Sequence, residues 1–422
     1  ERKLQEVYEH IELPIIPIIK RMEDRGVLID VDHFTKLSKK LHIKLDALEK
    51  VIYAEAGREF NIRSPKQLGE ILFDELEISV KGLKKTATGA RSTRESELNK
   101  LKGVHPIIDS LLQYREFHKI VSTYVDPLPK MVDSHNRIHT KLLQAGTSTG
   151  RFSSASPNMQ NIPTRSDLGT EIRNGFIATP GFVFLSCDYS QIELRITAIM
   201  SADEYMLEVF SSGKDIHTAV AAKVFGVELD AVTKDMRRQA KVINFGIIYG
   251  MGVNALRENL GTSREEAQKF YNQYFEQFPT IQAYLESIKT RAIELGYTET
   301  LFGRRRYFPA LQSTLPHIRA QAERMAVNAP IQGTATADII KMALAYVDTI
   351  ITEHGWQESV FPLLQIHDEL MFEVREDMID EVTPVIVTAM ETAMIHSYFA
   401  YTPPVPLSVD ANTGKRWGEL KG

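Results

Sequence analysis

The stretch LLQIHDELMFE, residues 363–373, sets His367, Asp368 and Glu369 inside an otherwise apolar, strand-forming run. Burying charge is costly unless the charge is paired or bound to a metal. The run reads as two strands with His367 and Asp368 near the bend. A tight bend of this kind ordinarily takes Asn-Gly or Asp-Gly, because positive φ is needed there, and His-Asp is poor turn chemistry. A locally unfavourable bend that holds an acid points to function.

A second acid, Asp188, ends another apolar run of strand length, GFVFLSCDYS at 181–190. If the two strands are neighbours, the carboxylates converge at one edge of a sheet. Close carboxylates repel unless one is protonated or cations lie between them. Mg²⁺, a hard ion, is commonly held by one or two carboxylates plus substrate phosphates. A strand-end Asp by itself is more often a cap or a surface residue, and that plain reading weakens beside DMRRQAKVINFGIIYG, residues 235–250. There Arg237, Lys241, Phe245 and Tyr249 are spaced by four and share one side of a helix. Lys234, Arg237, Arg238 and Lys241 crowd its N-terminal half, where the macrodipole disfavours cations by roughly 0.3–1 kcal/mol each. Such crowding makes sense if an anion binds, with a triphosphate as the obvious candidate and Phe245 and Tyr249 available to pack on a sugar and base. Without the cations, plain core packing would be the better reading of both aromatics. Carboxylate-held metals facing a cationic helix supply the electrostatic parts for phosphoryl or nucleotidyl transfer.

The chain has 422 residues, beyond the roughly 250–300 at which one core stops growing, so two or more subdomains are expected. Apolar residues make up 43% and charged residues 25%, the balance of an ordinary globular protein. No uninterrupted apolar run reaches the ~18 residues of a membrane span, and the N-terminus has no signal-peptide core. Cys187 is the only cysteine, which excludes an internal disulfide and fits a reducing compartment, with the cytoplasm as the default. The chain opens on Glu1 rather than Met, and we expect it to be part of a longer protein. A net charge of −5 argues weakly against a generic polyanion-binding surface. Two local patches argue otherwise: residues 81–94 carry Lys81, Lys84, Lys85, Arg91 and Arg94 with no acid, and Arg304, Arg305 and Arg306 stand together. A solvated face explains either patch alone.

Residues up to about 125 look helical. Asp32 is the expected N-cap of a helix whose Leu37, Leu41, Leu45, Leu48 and Ile52 recur on one face. Ser64 and Pro65 open a second helix, and residues 105–125 form a third. The basic stretch between these two is expected at the exposed tip of a long helical hairpin. Strands begin after about 126, residues 200–325 return to helical periodicity, and 335–352 form a strongly apolar helix. A helix at 379–395 and a last strand near 406–414 complete an α+β arrangement, with helices packed on a mostly antiparallel sheet.

DYSQIELR (188–195), RRQAKVINFGIIYG (237–250) and QIHDEL (365–370) resemble the three signature motifs of family A DNA polymerases, the DNA polymerase I type. TSTGRFSSASPNMQNIPTR (147–165), DIHTAVAAKVFG (215–226), ETLFGRRRYFP (299–309) and RAQAERMAVNAPIQG (319–333) extend the likeness, and the N-terminal arm resembles that family's thumb. The resemblance implies a right-hand polymerase fold with an antiparallel-sheet palm, helical fingers and a helical thumb. It implies an N-terminal segment (1–29) packing on the palm, a thumb (30–125), a palm in two parts (126–195 and 328–422) and fingers (196–327) with a nucleotide-binding helix at 235–250.

The implied activity is template-directed extension of a primer 3′ end with deoxynucleoside triphosphates, releasing pyrophosphate. Asp188 and Asp368 would hold two Mg²⁺ ions, for which Mn²⁺ can substitute, helped by the Tyr189 carbonyl, with Glu369 a nearby, less critical acid. Arg237, Lys241 and His217 would bind the triphosphate, and Lys241 would protonate departing pyrophosphate. Phe245 would pack on the incoming sugar and Tyr249 near the template base, while Glu193 would block a 2′-hydroxyl and Gln191 line the same site. Arg151, Asn158, Gln332 and His367 would contact primer and template in the minor groove, Arg324 and Asn328 would touch either strand, and Lys84 and Lys85 would grip the duplex backbone. Primer–template DNA and deoxynucleotides are the implied partners of a monomer without membrane attachment. In a bacterium it would sit in the cytoplasm with the nucleoid; a phage or organelle source stays open.

The family's pattern after NAPIQG is TAADIIK, whereas this chain reads TATADIIK, one residue longer. Within a helix the extra residue, which follows Gln332, requires a π-bulge. Phe152 and Met159 stand where Leu is more usual. These 422 residues are expected to carry no proofreading domain. A single-subunit RNA polymerase shares the palm logic but is opposed by Glu193, and a DNA-binding scaffold with a dead polymerase fold is opposed by the intact set of Asp188, Lys241 and Asp368.

Overall fold

The computed structural model describes residues 2–79, 82–86, 89, 91–164 and 166–420. The chain divides into two compact units, Leu28–Ile138 with Ile162–Ile177, and Glu1–Val27 with His139–Asn161 and Ala178–Gly422.

The smaller unit is built on two long helices. The first, Val31–Ala56, is capped by Asp30, whose side chain accepts from the His33 amide at 2.9 Å. Asp32, the expected cap, lies instead in the first turn, because extended backbone at Asp30 places the helix start two residues earlier. There its carboxylate still meets the positive end of the dipole. Leu37, Leu41, Leu45 and Ile52 are buried on one face and Leu48 is half-buried. This face packs on the second helix, Pro106–Ile120, which continues as a π-turn over Val121–Val125. Ser64 caps the Pro65–Glu70 helix with Pro65 in the first turn, as its sequence indicates.

The basic stretch is not a bare hairpin tip. Arg91 donates to the Phe73 carbonyl at 3.0 Å and pairs with Asp74, Arg115 reaches the Thr93 carbonyl at 2.5 Å, and a backbone bridge joins Lys85 to Arg91. These bonds fold the segment against the Ile71–Glu75 turn. Lys84 and Lys85 are exposed. Lys81, read as part of the same patch, lies outside the described residues.

The larger unit is centred on a four-stranded antiparallel sheet of β1 (Phe182–Tyr189), β2 (Val360–Ile366), β3 (Glu369–Arg375) and β4 (Val409–Gly414), in the order β4-β1-β3-β2. Helices α1 (Ile192–Ser201), α2 (Ile216–Phe225) and α3 (Lys234–Ile248) follow β1. Further on, α4 (Pro316–Gly333) runs through a π-turn at Thr334–Ile339 into α5 (Ile340–Glu353), and α6 (Ile379–His396) packs against α5 and the sheet. The π-turn falls where the sequence is one residue too long for an uninterrupted α-helix. On β3 the buried Glu373 carboxylate accepts from Arg25 at 2.5 and 3.1 Å and from the Thr179 amide and hydroxyl at 2.7 and 2.6 Å. This set fastens the N-terminal segment to the sheet and satisfies a charge that would otherwise be prohibitive.

In the smaller unit Phe34 is fully buried and lies edge-on to Phe176 with 5.8 Å between ring centres. Gly175 is needed beside it, since a Cβ there would come within 2.4 Å of the Phe34 ring. Phe34→Ala should therefore destabilise this unit by about 3–5 kcal/mol, read as a lowered urea midpoint; a shift worth less than about 1 kcal/mol would contradict this packing.

Candidate active site

His367 and Asp368 form the two-residue link between β2 and β3. His367 takes φ +55°, the left-handed backbone that this bend demands and that His adopts reluctantly. The buried side chain of Gln365 holds the link by donating to the His367 carbonyl at 2.6 Å, and Gln160 donates to Gln365 at 3.1 Å. Across the β1–β3 ladder Asp188 stands opposite Glu369, and the Tyr189 amide donates to the Asp368 carbonyl at 3.1 Å. The two strands are thus neighbours, and Asp188 and Asp368, both half-buried, come from adjoining strand ends.

Glu369 is buried and accepts from the Ser186 hydroxyl at 2.5 Å. The Tyr189 phenol points away from this edge, donating to the Met390 carbonyl in α6 at 2.6 Å, so only its backbone remains for a ligand role. Burial, with the nearby Glu369 and Asp188 carboxylates adding to it, pushes the Cys187 thiol up to about 12. Two carboxylates and a peptide carbonyl are hard oxygen donors of the kind that suits Mg²⁺. Among the described residues no group of three or more His, Cys, Asp or Glu side chains gathers as a metal site. A cation here would therefore draw further ligands from bound phosphate or water.

Helix α3 begins at a Thr233 cap that accepts from the Met236 amide at 3.2 Å. Two of its four cations are already paired: Arg237 grips Asp215, the cap of α2, at 3.0 and 2.8 Å, and Arg238 holds Asp235. Burial would raise the Asp215 pKa, but bonds from Arg237 and Thr218 outweigh it and bring it down to about 2. Lys234 and Lys241 are exposed and, among the described residues, have no carboxylate within 4 Å. His217 is buried rather than open to the surface, with Nδ1 3.2 Å from the Asn244 amide nitrogen and its ring 5.6 Å from that of Phe245. Burial lowers its pKa to about 4, Asp215 opposes the shift, and Lys241 and Arg237 add to it.

At the C-terminal end of α3 the Tyr249 hydroxyl donates to Glu193 Oε2 at 2.5 Å. Glu193, buried in the first turn of α1, takes an Arg151 Nη donor on its other oxygen at 2.7 Å, and Arg151 Nε donates to the Thr336 hydroxyl in the π-turn. Burial and the Glu193 carboxylate raise the Tyr249 pKa, and Asp368 contributes more weakly, which sets this ring near the sheet edge. Gln191 caps α1 in left-handed backbone, φ +55°.

Asn158 is exposed and folds on itself, accepting from the Gln160 amide at 3.0 Å. Arg324, Asn328 and Gln332 recur every four residues along one face of α4, with Arg324 exposed and Asn328 and Gln332 half-buried. Gly250, at φ +65°, is required where α3 ends against α4, because a Cβ would sit 3.2 Å from the Arg324 main chain. Lys84 and Lys85 belong to the smaller unit. The triple-Arg run is not a phosphate-binding surface patch. Arg304 is held between Glu12 at 2.5 Å and Asp338 at 2.6 Å, Arg305 pairs with Glu299 at 2.8 Å, and Arg306 lies over the Phe308 ring.

A family model described as DNA polymerase family A matches residues 31–419. The chain belongs to DNA polymerase family A. It is 44% identical over 420 residues to a thermostable DNA polymerase I of Thermus filiformis and 45% identical over 418 residues to DNA polymerase I of Pseudomonas aeruginosa. Each match takes in 99% of this chain but only 49% and 44% of those proteins, so the chain spans about half the length of the curated relatives it matches. The solved POL domain of Pol1 from M. smegmatis, in complex with DNA primer–template and dNTP, superposes with a TM-score of 0.91 at 38% identity. The superposition covers 99% of this chain and 72% of that one. The fold is therefore the α+β polymerase fold of this family. No described helix is long and apolar enough to cross a membrane.

Three partners in this family A site escaped the sequence reading. Asp215 was signalled by Asp-x-x-Thr at the start of α2, a capping pattern that also aims a carboxylate at Arg237. Ser186 lies two residues before Asp188 on the same face of β1, where strand periodicity points to Glu369. Thr336 was visible only as one residue too many.

A His with a depressed pKa loses stability for the fold as pH drops from the unfolded value near 6.5 toward the folded value, because only the unfolded chain then binds the proton. His217→Gln should flatten the fall in unfolding free energy between about pH 6.5 and pH 4. An unchanged slope in denaturant titrations across that window would show that His217 is not held neutral.

Proposed function

We propose that this chain is a template-directed DNA polymerase that adds deoxynucleotides to a primer 3′ end and releases pyrophosphate. The observation that carries the reading is the β1–β3 register, which sets Asp188 and Asp368 at adjoining ends of the two central strands. Family membership and the likeness to a polymerase domain solved with primer–template and dNTP support it. Under this reading residues 30–125 act as thumb, 196–327 as fingers, and 126–195 with 328–422 as palm, preceded by a packing segment at 1–29.

Asp188, Asp368 and the Tyr189 carbonyl would hold two Mg²⁺ ions, or Mn²⁺ in their place. Divalent ions so held would make the primer hydroxyl a better nucleophile and stabilise charge on the leaving group. The protein's own contributions are positional and electrostatic. Lys241 and Arg237 bind the triphosphate, and Lys241, a flexible ammonium exposed to solvent, gives a proton to pyrophosphate as it departs. His217, kept neutral, supports this end through Asn244 and Phe245 rather than as a charged phosphate ligand. Phe245 packs on the sugar, Tyr249 lies near the template base, and Glu193 with Gln191 closes the sugar pocket against a 2′-hydroxyl.

Arg151, Asn158, Gln332 and His367 read the minor groove without sequence preference, Arg324 and Asn328 contact the strands, and Lys84 and Lys85 bind backbone phosphates. The curated relatives named above are bacterial, which supports a cytoplasmic, nucleoid-associated place for this chain.

Asp368→Asn removes one carboxylate charge with almost no change of shape. Primer extension should fall ~10³-fold or more, several kcal/mol at about 1.4 kcal/mol per decade, while duplex affinity stays near that of the parent. Extension at the parent's rate would overturn the assignment. Single-nucleotide incorporation by the parent should favour deoxynucleotides over ribonucleotides, and equal use of both would favour an RNA polymerase instead. Lys84→Ala with Lys85→Ala should weaken duplex binding equally for unrelated sequences and reduce the salt slope by about 2, near 0.9 per lost phosphate contact. A sequence-selective loss would contradict a backbone grip.

A further inference from the structure

We infer that Thr336, carried by the π-turn between α4 and α5, is a positioning residue for sugar selection: through Arg151 it sets the orientation of the Glu193 carboxylate. The inference rests on the polymerase reading above and on Glu193 as the group that meets the sugar.

A π-turn takes up one extra residue locally, so the helix before it and the helix after it keep their faces. That leaves one side chain with no counterpart in the family's shorter pattern, and the chain fills the turn with Thr336 in the middle of TATAD. Its hydroxyl is almost fully buried and spends its proton on the Gln332 carbonyl at 2.8 Å. With the donor used, only acceptor lone pairs remain, and one of them accepts from Arg151 Nε. The hydroxyl is therefore a one-way acceptor aimed at the guanidinium.

A guanidinium is planar, so fixing Nε fixes the plane and with it the direction of every Nη donor. One of those donors reaches Glu193 Oε1 at 2.7 Å, while the other Glu193 oxygen takes the Tyr249 hydroxyl at 2.5 Å. The carboxylate is thus held from two sides, by the end of α3 and by Arg151, and Thr336 is what fixes Arg151. Thr336 itself touches neither Asp188 and Asp368 nor the α3 cations, so loss of its hydroxyl alone should leave the chemistry with a correct deoxynucleotide intact. The discrimination that depends on the exact position of one carboxylate should suffer instead.

The test compares kcat and KM for single incorporation of a deoxynucleotide and the matching ribonucleotide by the parent, Thr336→Val and Thr336→Ser. The Val variant keeps the shape and removes the acceptor; the Ser variant keeps the acceptor. We expect Val to lower the ratio of the two kcat/KM values about 10-fold, the scale of one hydrogen bond to a charged group. Its kcat for the deoxynucleotide should stay within about 2-fold of the parent, and Ser should restore the parent's ratio. Should the Val variant fail to fold, Thr336→Ala removes the same acceptor in a smaller side chain and carries the same expectation.

Arg151→Lys should also lower the ratio, and adding Thr336→Val to it should produce little further loss, because Thr336 acts only through Arg151. Selectivity equal to the parent's in the Val or Ala variant, a failure of Ser to rescue, or full additivity with Arg151→Lys would each overturn the inference. A parent chain that extends no primer would refute the polymerase reading itself and this inference with it, whereas an active parent matched by its variants would refute only the role of Thr336.

Discussion

The register between β1 and β3 is the constraint from which the site follows. Side chains alternate faces along a strand, so a slip of one residue would turn Asp188 to the opposite face and move Tyr189 out of the core. The sequence guards against that slip with large residues of alternating fate. Leu185, Cys187 and Tyr189 pack into the main hydrophobic core, Tyr189 anchored through its hydroxyl to α6, while Ser186 and Asp188 face the other way. The same anchor that buries Tyr189 fixes the amide that reaches the Asp368 carbonyl. Position of the two acids is thereby a consequence of core packing, and only the bend at His367 works against local preference.

Elsewhere the larger unit tolerates buried charge by completing it. Glu12, Arg304, Asp338 and Lys341 form one cluster, with Lys341 Nζ 2.7 Å from Glu12 and Arg304 bridging Glu12 to Asp338. Burial pushes the Asp338 carboxyl up against the pull of Arg304 and Lys341, and burial together with the Arg304 charge pushes the Lys341 ammonium down against the pull of Glu12 and Asp338. Removing one member would leave an uncompensated ion, which is why such clusters act as all-or-none fasteners. Gly150 belongs to this arrangement, since a Cβ there would come within 2.7 Å of the Arg304 side chain. The neighbouring Arg151 then starts from backbone already fixed against a rigid cluster, which favours its precise use toward Glu193.

What the sequence made legible was what period and charge can express. The strand run at 181–190, the two strands meeting near His367 and Asp368, and the helix carrying Arg237 to Tyr249 follow from spacing, while the π-turn after Gln332 follows from the one extra residue against the resembled family's pattern. Partners distant in sequence did not. The choice between Asp30 and Asp32 as helix cap turns on backbone angles that two acids so close together share in prospect. The pairing of Arg237 with Asp215 spans 22 residues, and no periodicity reports it. The triple-Arg run misled for the same reason: its counter-charges Glu12 and Asp338 lie hundreds and tens of residues away, while a run of like charge in one dimension looks solvated.

Under the proposed polymerase reading, the pairing on α3 also changes which charges would attract a nucleotide. Asp215, with a pKa brought down to about 2, stays ionised at any working pH, so Arg237 and Asp215 together present little net charge to an approaching phosphate. A phosphate must then displace a bidentate carboxylate to engage Arg237, exchanging one charge-assisted pair for another of similar strength. Arg238 is discounted in the same way by Asp235. Net attraction at this end therefore falls to Lys241 and Lys234, both exposed and neither paired with a carboxylate among the described residues. An ammonium on a flexible stem follows a moving phosphate more easily than a guanidinium already locked in a fork. On the proposed reading Arg237 would exchange partners when the nucleotide arrives, with Asp215 keeping it ordered until then.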